Sequence, residues 1–294
     1  MVSALQSGMS SRTETSDPKP RALLLRAAGT NCDDEMVRAF ALAGAEPKRV
    51  HLERLIEYPR LLEEFDIIGI PGGFSYGDDI AAGRVLAVRM RTHLYGALCE
   101  AAARGVPIIG VCNGFQALVQ CGLLPGPEPI ELDREHRARS TWPAKPPPSV
   151  VTLAHNSTGR FIDTWVRVKA NAASPCVWTR ALLDMPDVAR MLPLASGEGR
   201  FVTTSQRVLD VLEAGGQVAL RYIDNVNGSE GSIAGVCDAS GRIFGLMPHP
   251  DRYLSWDHHP FATRLDASVR QAEAPGVTMF RGAVDVAREL ARAR

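Results

Sequence analysis

Cys112 stands between an apolar run, Val106-Pro107-Ile108-Ile109-Gly110-Val111, and a helix-like stretch that begins Gly114-Phe115-Gln116, in the pattern Gly-x-Cys-x-Gly. A thiol on a sharp strand-to-helix turn is presented above the end of a parallel sheet, in the manner of a nucleophile elbow. The N–H groups and dipole of the helix N-terminus favour a thiolate there, and the first N–H past the turn, that of Asn113, can donate to an oxyanion. The chemistry is acyl transfer through a thioester. Taken alone, the pattern also fits a buried structural cysteine. His249 follows an apolar strand pattern, Arg242-Ile243-Phe244 leading into Gly245-Leu246-Met247-Pro248-His249-Pro250-Asp251. A histidine just past a buried strand, with a carboxylate two residues on, suits a general base held in one tautomer by an acid. By itself it also fits a histidine capping a strand end. In Phe65-Asp66-Ile67-Ile68-Gly69-Ile70-Pro71-Gly72-Gly73 a strand pattern runs into a glycine pair. Gly72 and Gly73 could turn N–H groups toward a developing oxyanion, or make only a turn.

These groups need a scaffold. Residues 22–25 read as a strand and 33–43 as a helix, with Met36, Val37, Phe40 and Ala41 at helical spacing. Residues 50–52 read as a short strand, 65–70 as a fuller one, and 81–103 as a long helix before the strand at Val106. This alternation predicts an α/β fold, a mostly parallel sheet with helices on both faces. Chemistry then collects at the C-terminal strand ends, which places Gly29, Gly72, Cys112 and His249 along one edge. Residues 1–20 lack the apolar core of a signal peptide and read as a disordered polar tail. Residues 21–294 read as one domain. It is interrupted at about 124–149, where prolines at 125, 127, 129, 143, 146, 147 and 148 exclude a regular helix or central strand. Residues 254–276 hold few strand patterns and lead to an expected terminal helix at 283–293 on the outside of the domain.

Charge is balanced, with 33 basic and 33 acidic residues and no basic block, which argues against nucleic acid or an anionic membrane as partner. No apolar run reaches transmembrane length, and the expected location is the cytoplasm. Six cysteines show neither Cys-x-x-Cys nor disulfide-framework spacing; Cys99, Cys121 and Cys237 lie in apolar surroundings and read as core residues. His258-His259 has no third ligand at suitable spacing and reads as a surface turn before Pro260, so no metal is expected.

Taken together, the Cys112, His249 and Gly72-Gly73 segments resemble the class I (triad) glutamine amidotransferases, whose fold is flavodoxin-like. Further strings carry the resemblance: Gly29-Thr30-Asn31-Cys32-Asp33, PGGFSYGDDIAAGR from residue 71, GVCNGFQAL from 110, HNSTGRF from 155, LPLASGEGRF from 192, Asn227-Gly228-Ser229, and GLMPHPDR from 245. It spans roughly residues 21–290. It implies a triad of Cys112, His249 and Asp251, an oxyanion site at Gly72, Gly73 and Asn113, and glutamine binding by Gln116 and the loop at Glu198 and Gly199. Read from the residues alone, Gln116 could equally face solvent and Glu198 could equally be a turn residue. The resemblance also implies an ammonia acceptor on another polypeptide. That partner is a synthetase subunit using ATP and magnesium to activate formylglycinamide ribonucleotide, often with a small bridging subunit. This chain has no Gly-x-x-x-x-Gly-Lys-Ser/Thr loop, so no cofactor is expected on it.

Three positions depart from the family pattern. Asp251 stands where members usually carry Glu, Ser196 where the loop usually has His, and the segment between Tyr222 and Asn227 is shortened. Two other classes remain open from sequence: a different cysteine hydrolase on the same sheet, and a non-catalytic regulatory subunit. The run Phe74-Ser75-Tyr76-Gly77-Asp78-Asp79 argues against the first, and retention of Cys112, His249 and a carboxylate argues against the second.

Overall fold

The computed structural model describes residues 18–127, 131–132, 138–139 and 141–293. Residues 1–17, on which the expected polar tail falls, and most of the central part of the proline-rich stretch lie outside the described residues. The chain opens with β1 (Arg21–Arg26), α1 (Asp33–Leu42), β2 (Glu46–His51), α2 (Leu52–Glu57) and β3 (Ile67–Ile70). After them come α3 (Arg84–His93), α4 (Tyr95–Ala103), β4 (Ile108–Val111) and α5 (Asn113–Cys121). A two-residue pair, β5 (Glu131–Leu132) and β6 (Ala138–Arg139), stands apart from the main sheet. The second half adds β7 (Val151–Ala154), β8 (Ile162–Ala170), β9 (Met191–Ser196), β10 (Arg200–Thr203) and α6 (Gln206–Ala214). It closes with β11 (Val218–Tyr222), β12 (Ile233–Cys237), β13 (Ile243–Leu246) and α7 (Pro275–Arg292).

The main sheet has the order β2-β1-β3-β4-β13-β12-β11-β8-β9. From β2 to β13 every pairing is parallel, and from β13 to β9 every pairing is antiparallel. The four-residue strands β3, β4 and β13 are buried at every position, the mark of strands covered on both faces. Gly69 pairs with Ile109 and Ile70 with Gly110, so the two glycines point to opposite faces. Gly69 faces Met36 and Phe40 of α1, while Gly110 faces Leu118 of α5, which places these helices on the two sides of the sheet. On the α1 side Phe40 and Phe280 of α7 meet edge to face, with Trp178 against both.

Several boundaries differ from the sequence expectation for identifiable reasons. β2 begins at Glu46 rather than 50; it is an edge strand whose Glu46, Lys48 and Arg49 are exposed, and an edge tolerates both charge and Pro47. Strand β3 starts two residues late, at Ile67. The expected helix at 81–103 is two helices, because Leu94 turns to φ −118° and buries its side chain between them. The last helix starts at Pro275, eight residues early, with proline in its first turn where the missing N–H costs nothing. His259 is not on a surface turn. It is 3 % exposed, bonded through Nε2 to Val188 O at 2.9 Å and packed against Trp165 and Tyr253. No helix among the described residues is long and apolar enough to cross a membrane.

Candidate active site

Cys112 is the residue between β4 and α5, and its backbone has φ 52°, ψ −107°. Such a conformation costs a non-glycine residue about 1–3 kcal/mol and persists only where the surroundings impose it. Here they do. The Cys112 N–H donates to Leu246 O of β13 at 2.8 Å, and its carbonyl accepts from Gln116 N at 3.1 Å. Behind the turn, α5 approaches β3 so closely that a Cβ on Gly114 would overlap the Ile70 carbonyl oxygen. The turn lifts the thiol toward Ala195 O, 3.6 Å away.

A cavity of about 370 Å³ opens over the thiol, lined by residues following β1, β3, β4 and β13 and by the β9–β10 turn. Of the residues singled out in the sequence, Gly73, Cys112, Gln116, Glu198 and His249 line it. Gly72 lies behind the first rank: a Cβ there would stand 2.8 Å from His249 Cε1 and 3.4 Å from both Cys112 Cβ and Cys32 Sγ. Asn113, Gly199 and Asp251 support the wall from behind it.

His249 is held by its N–H, which donates to Pro193 O at 2.7 Å, and its ring is buried beside the thiol. The imidazole Nδ1 lies 3.3 Å from Asp251 Oδ1, both side chains being almost wholly buried. That is longer than the 2.7–2.9 Å or so of a charge-assisted bond, and the two meet as an ion-pair contact rather than a well-aligned hydrogen bond. Asp251, one methylene shorter than the glutamate usual in the family, does reach the ring. Burial disfavours the imidazolium, but Asp251 and then Cys112 outweigh it, and the His249 pKa is raised to about 9.

On the oxyanion side, the N–H groups that follow the glycine pair are already engaged. Phe74 N–H is taken by Gly29 O at 3.0 Å and Ser75 N–H by Asn113 Oδ1 at 3.2 Å. This leaves Gly72 and Gly73 as the donors from that loop, with Asn113 N–H, in the first turn of α5, as their counterpart. Gln116 does not face solvent: it is 3 % exposed, receives a bond from Asn113 Nδ2 at 3.0 Å and donates to Glu198 O. Glu198 is more than a turn residue, since its Oε2 accepts from Ala82 N at 3.3 Å across the cavity mouth. Gly199 N–H donates to Asn156 Oδ1 at 3.3 Å and Gly199 O accepts from Asn227 Nδ2 at 2.8 Å. Ser196 is buried on the cavity wall with its hydroxyl unpartnered. In the shortened loop, Asn225 Oδ1 accepts from both Gly228 and Ser229 N–H.

Several contributors had been quoted within longer strings without a role. Arg252 lines the cavity and donates to Cys32 Sγ at 3.0 Å; burial outweighs that contact and pushes the Cys32 thiol up to about 12. Asp78 lines the cavity and accepts from Asn113 Nδ2 at 2.9 Å. Asn156 and Asn227 hold the 196–199 turn. The only sequence signal for these polar residues was their place in glycine-rich strings.

Comparison with known proteins gives the family. A family model described as a CobB/CobQ-like glutamine amidotransferase domain matches residues 19–286. The phosphoribosylformylglycinamidine synthase subunit PurQ of Dehalococcoides mccartyi is 38 % identical over 278 residues, covering 92 % of this chain and 99 % of that one. The Treponema denticola protein of the same name is 40 % identical over 255 residues, covering 79 % and 88 %. Among solved structures, that of PurLQS from Thermotoga maritima superposes with a TM-score of 0.61 at 30 % identity, covering 91 % of this chain and 99 % of that one.

Proposed function

The chain belongs to the CobB/CobQ-like glutamine amidotransferase family, and on that premise we propose that it is the glutaminase subunit of a phosphoribosylformylglycinamidine synthase, supplying ammonia for purine biosynthesis. The observation that carries the reading is the convergence of a Cys112 elbow at positive φ with the buried His249–Asp251 pair in one cavity. Subunits so named in relatives covered over most of their length support the synthase assignment.

The Cys112 thiolate attacks the side-chain carboxamide carbon of glutamine, and Gly73 and Asn113 N–H groups receive the oxyanion. With a pKa raised to about 9, His249 carries its proton at neutral pH and gives it to the departing ammonia. The neutral imidazole then takes a proton from water, whose oxygen attacks the thioester carbon and releases glutamate and the thiolate. Asp251 keeps the ring oriented and supports its positive charge. The ammonia passes to a separate synthetase subunit, to which ATP and magnesium are assigned, and a small third subunit bridges the assembly.

The test is Cys112→Ala in the complex reconstituted with its synthetase. Glutamine-dependent synthesis should fall by about four orders of magnitude or more while synthesis from ammonium salts persists. Glutamate release by the variant at the wild-type rate would remove Cys112 from the mechanism.

A further inference from the structure

Cys32 stands at the N-cap of α1, where Ser, Thr, Asp or Asn would bond the first turn, and its thiol caps nothing. The side chain is turned the other way. Its Sγ accepts from Arg252 Nη2 at 3.0 Å and donates to Asn31 Oδ1 at 3.4 Å. Arg252 Nε lies 3.7 Å from Glu35 Oε1, so one guanidinium spans the segment after β13 and the first turn of α1. Burial pushes the Cys32 thiol up to about 12, so it keeps the proton that lets it accept from the guanidinium and donate to the amide at once. None of these side chains takes part in acyl transfer itself.

The loop that carries Cys32 grips the glycine pair. Cys32 N–H donates to Gly72 O at 3.3 Å, Phe74 N–H donates to Gly29 O at 3.0 Å, and Thr30 and Gly73 form an isolated antiparallel bridge. The bond to Gly72 O has a directional consequence. A trans peptide sends its C=O and its N–H to opposite sides. Because β3 lies between β1 and β4, holding Gly72 O on the β1 side turns the Gly73 N–H toward the β4 side. Cys112 stands there: a Cβ on Gly72 would be 3.4 Å from Cys112 Cβ and, across the strand, 3.4 Å from Cys32 Sγ. With no Cβ on either glycine, and Gly73 at φ 134°, local sterics do not fix the direction of this peptide. The grip of the 29–32 loop does.

We propose that Cys32 and Arg252 are positioning residues that aim the Gly73 N–H at the oxyanion, their contact locking the loop after β1 to the segment that carries His249 and Asp251. This inference rests on the glutaminase reading above. It joins the oxyanion site and the triad mechanically, since the 249–252 segment that brings the base also steadies, through Arg252, the loop that aims the donor. It also accounts for a cysteine at a helix start that it does not cap. A hydroxyl in its place can still accept and donate; a methyl group cannot.

The experiment sets glutamine turnover against alkylation of Cys112 by iodoacetamide, both in the reconstituted complex. Alkylation forms the carbon–sulfur bond as iodide leaves, so no oxyanion develops and the Gly73 N–H has nothing to stabilise. Cys32→Ala should lower kcat for glutamine roughly 10- to 100-fold with KM within about threefold of wild type, short of the loss of about 10²–10³ that follows removal of an oxyanion donor outright. Its alkylation rate should stay within about twofold of wild type, because the thiolate itself is untouched. Cys32→Ser should restore most of the turnover. Arg252→Gln should lower kcat by a similar factor, and the double variant should fall no more than about twofold below the weaker single one, since both changes break the same contact. Equal losses of turnover and alkylation in Cys32→Ala would overturn the proposal in favour of a general disturbance of the site. An unchanged kcat, a rise in KM alone, or losses that multiply in the double variant would overturn it as well. A wild-type complex that released no glutamate from glutamine would instead end the glutaminase reading itself, an outcome separable from normal turnover in the variants.

Discussion

The two sides of the cavity are made of different material. On the parallel side, after β3 and β4, the site is backbone: a left-handed cysteine, glycines where a Cβ has no room, and N–H groups set by the strand and helix that flank them. On the antiparallel side, the turn after β9 is held by side chains, with Asn156 bonding Ser196 O, Arg160 O and Gly199 N, and Asn227 bonding Gly199 O and Ser229. Geometry enforced by steric exclusion has no nearby alternative. Geometry enforced by hydrogen bonds can relax, each bond being worth about 1 kcal/mol net and more when its loss strands a buried partner. The parallel side should therefore fail abruptly when altered, and the antiparallel side by degrees.

The largest expected effect is at Gly114. Alanine there must push the α5 start away from β3, and the two shortest contacts are both backbone, so Gly114→Ala should lower unfolding stability by about 3 kcal/mol or more. Chemical denaturation measures this; a variant within 1 kcal/mol or so of wild type would mean that the elbow is softer than its geometry implies.

Asp251 tests the junction of the two sides. Asp251→Asn should lower glutamine turnover by roughly ten- to a thousandfold, less than the amide costs a serine enzyme, because a thiolate depends less on its base. Asp251→Glu should keep substantial activity, since the 3.3 Å gap to His249 Nδ1 leaves reach to spare. Steady-state turnover of both variants in the complex decides it, and an unaffected Asn variant would assign the orientation of His249 to another group.

The same pair predicts a pH dependence. Its folded pKa, raised to about 9, lies above the ordinary value of 6.5, so the stabilisation from the charged imidazole is complete below about 6.5. It declines as pH rises and is gone above about 9. Melting temperature should fall between these limits more steeply in wild type than in His249→Gln; parallel curves would show that the ring is neutral in the folded protein.

Asn156→Ala should have the smallest effect, a loss of about 1–3 kcal/mol from unpaired backbone groups of the 196–199 turn. Its kinetic mark should be a raised KM for glutamine with kcat less affected. A loss of kcat equal to that of Asp251→Asn would break the distinction between the two sides.

The same contrast governs what was legible in the sequence. Gly-x-Cys-x-Gly and Pro-Gly-Gly announce the parallel side because steric exclusion leaves glycine as the only tolerated residue, and a glycine between apolar runs is visible without a structure. The buried strands β3, β4 and β13 were legible for a similar reason, as short apolar runs. The antiparallel side was not. Asn156 and Asn227 there, like Asp78 on the parallel side, act through partners 28 to 43 residues away in the chain, such as Gly199 for both asparagines, and no local period encodes such a pairing. Helix breaks and edge strands were misjudged where exposure, at β2, or one buried residue, at Leu94, decided the outcome.

The distribution of cysteines has a practical consequence. The thiolate is the species that electrophiles modify. Burial pushes Cys32 and Cys121 up to about 12 and Cys99 to about 11, Cys237 is held high by Cys176 and burial, and Cys176 itself is fully enclosed. Cys112 lines the cavity with an imidazolium beside it, whereas Cys32, which also lines it, keeps its raised pKa. A glutamine-shaped alkylating probe should therefore add once per chain. Intact-mass spectrometry could then count competent sites in an unmutated preparation, with five silent thiols as its internal blank.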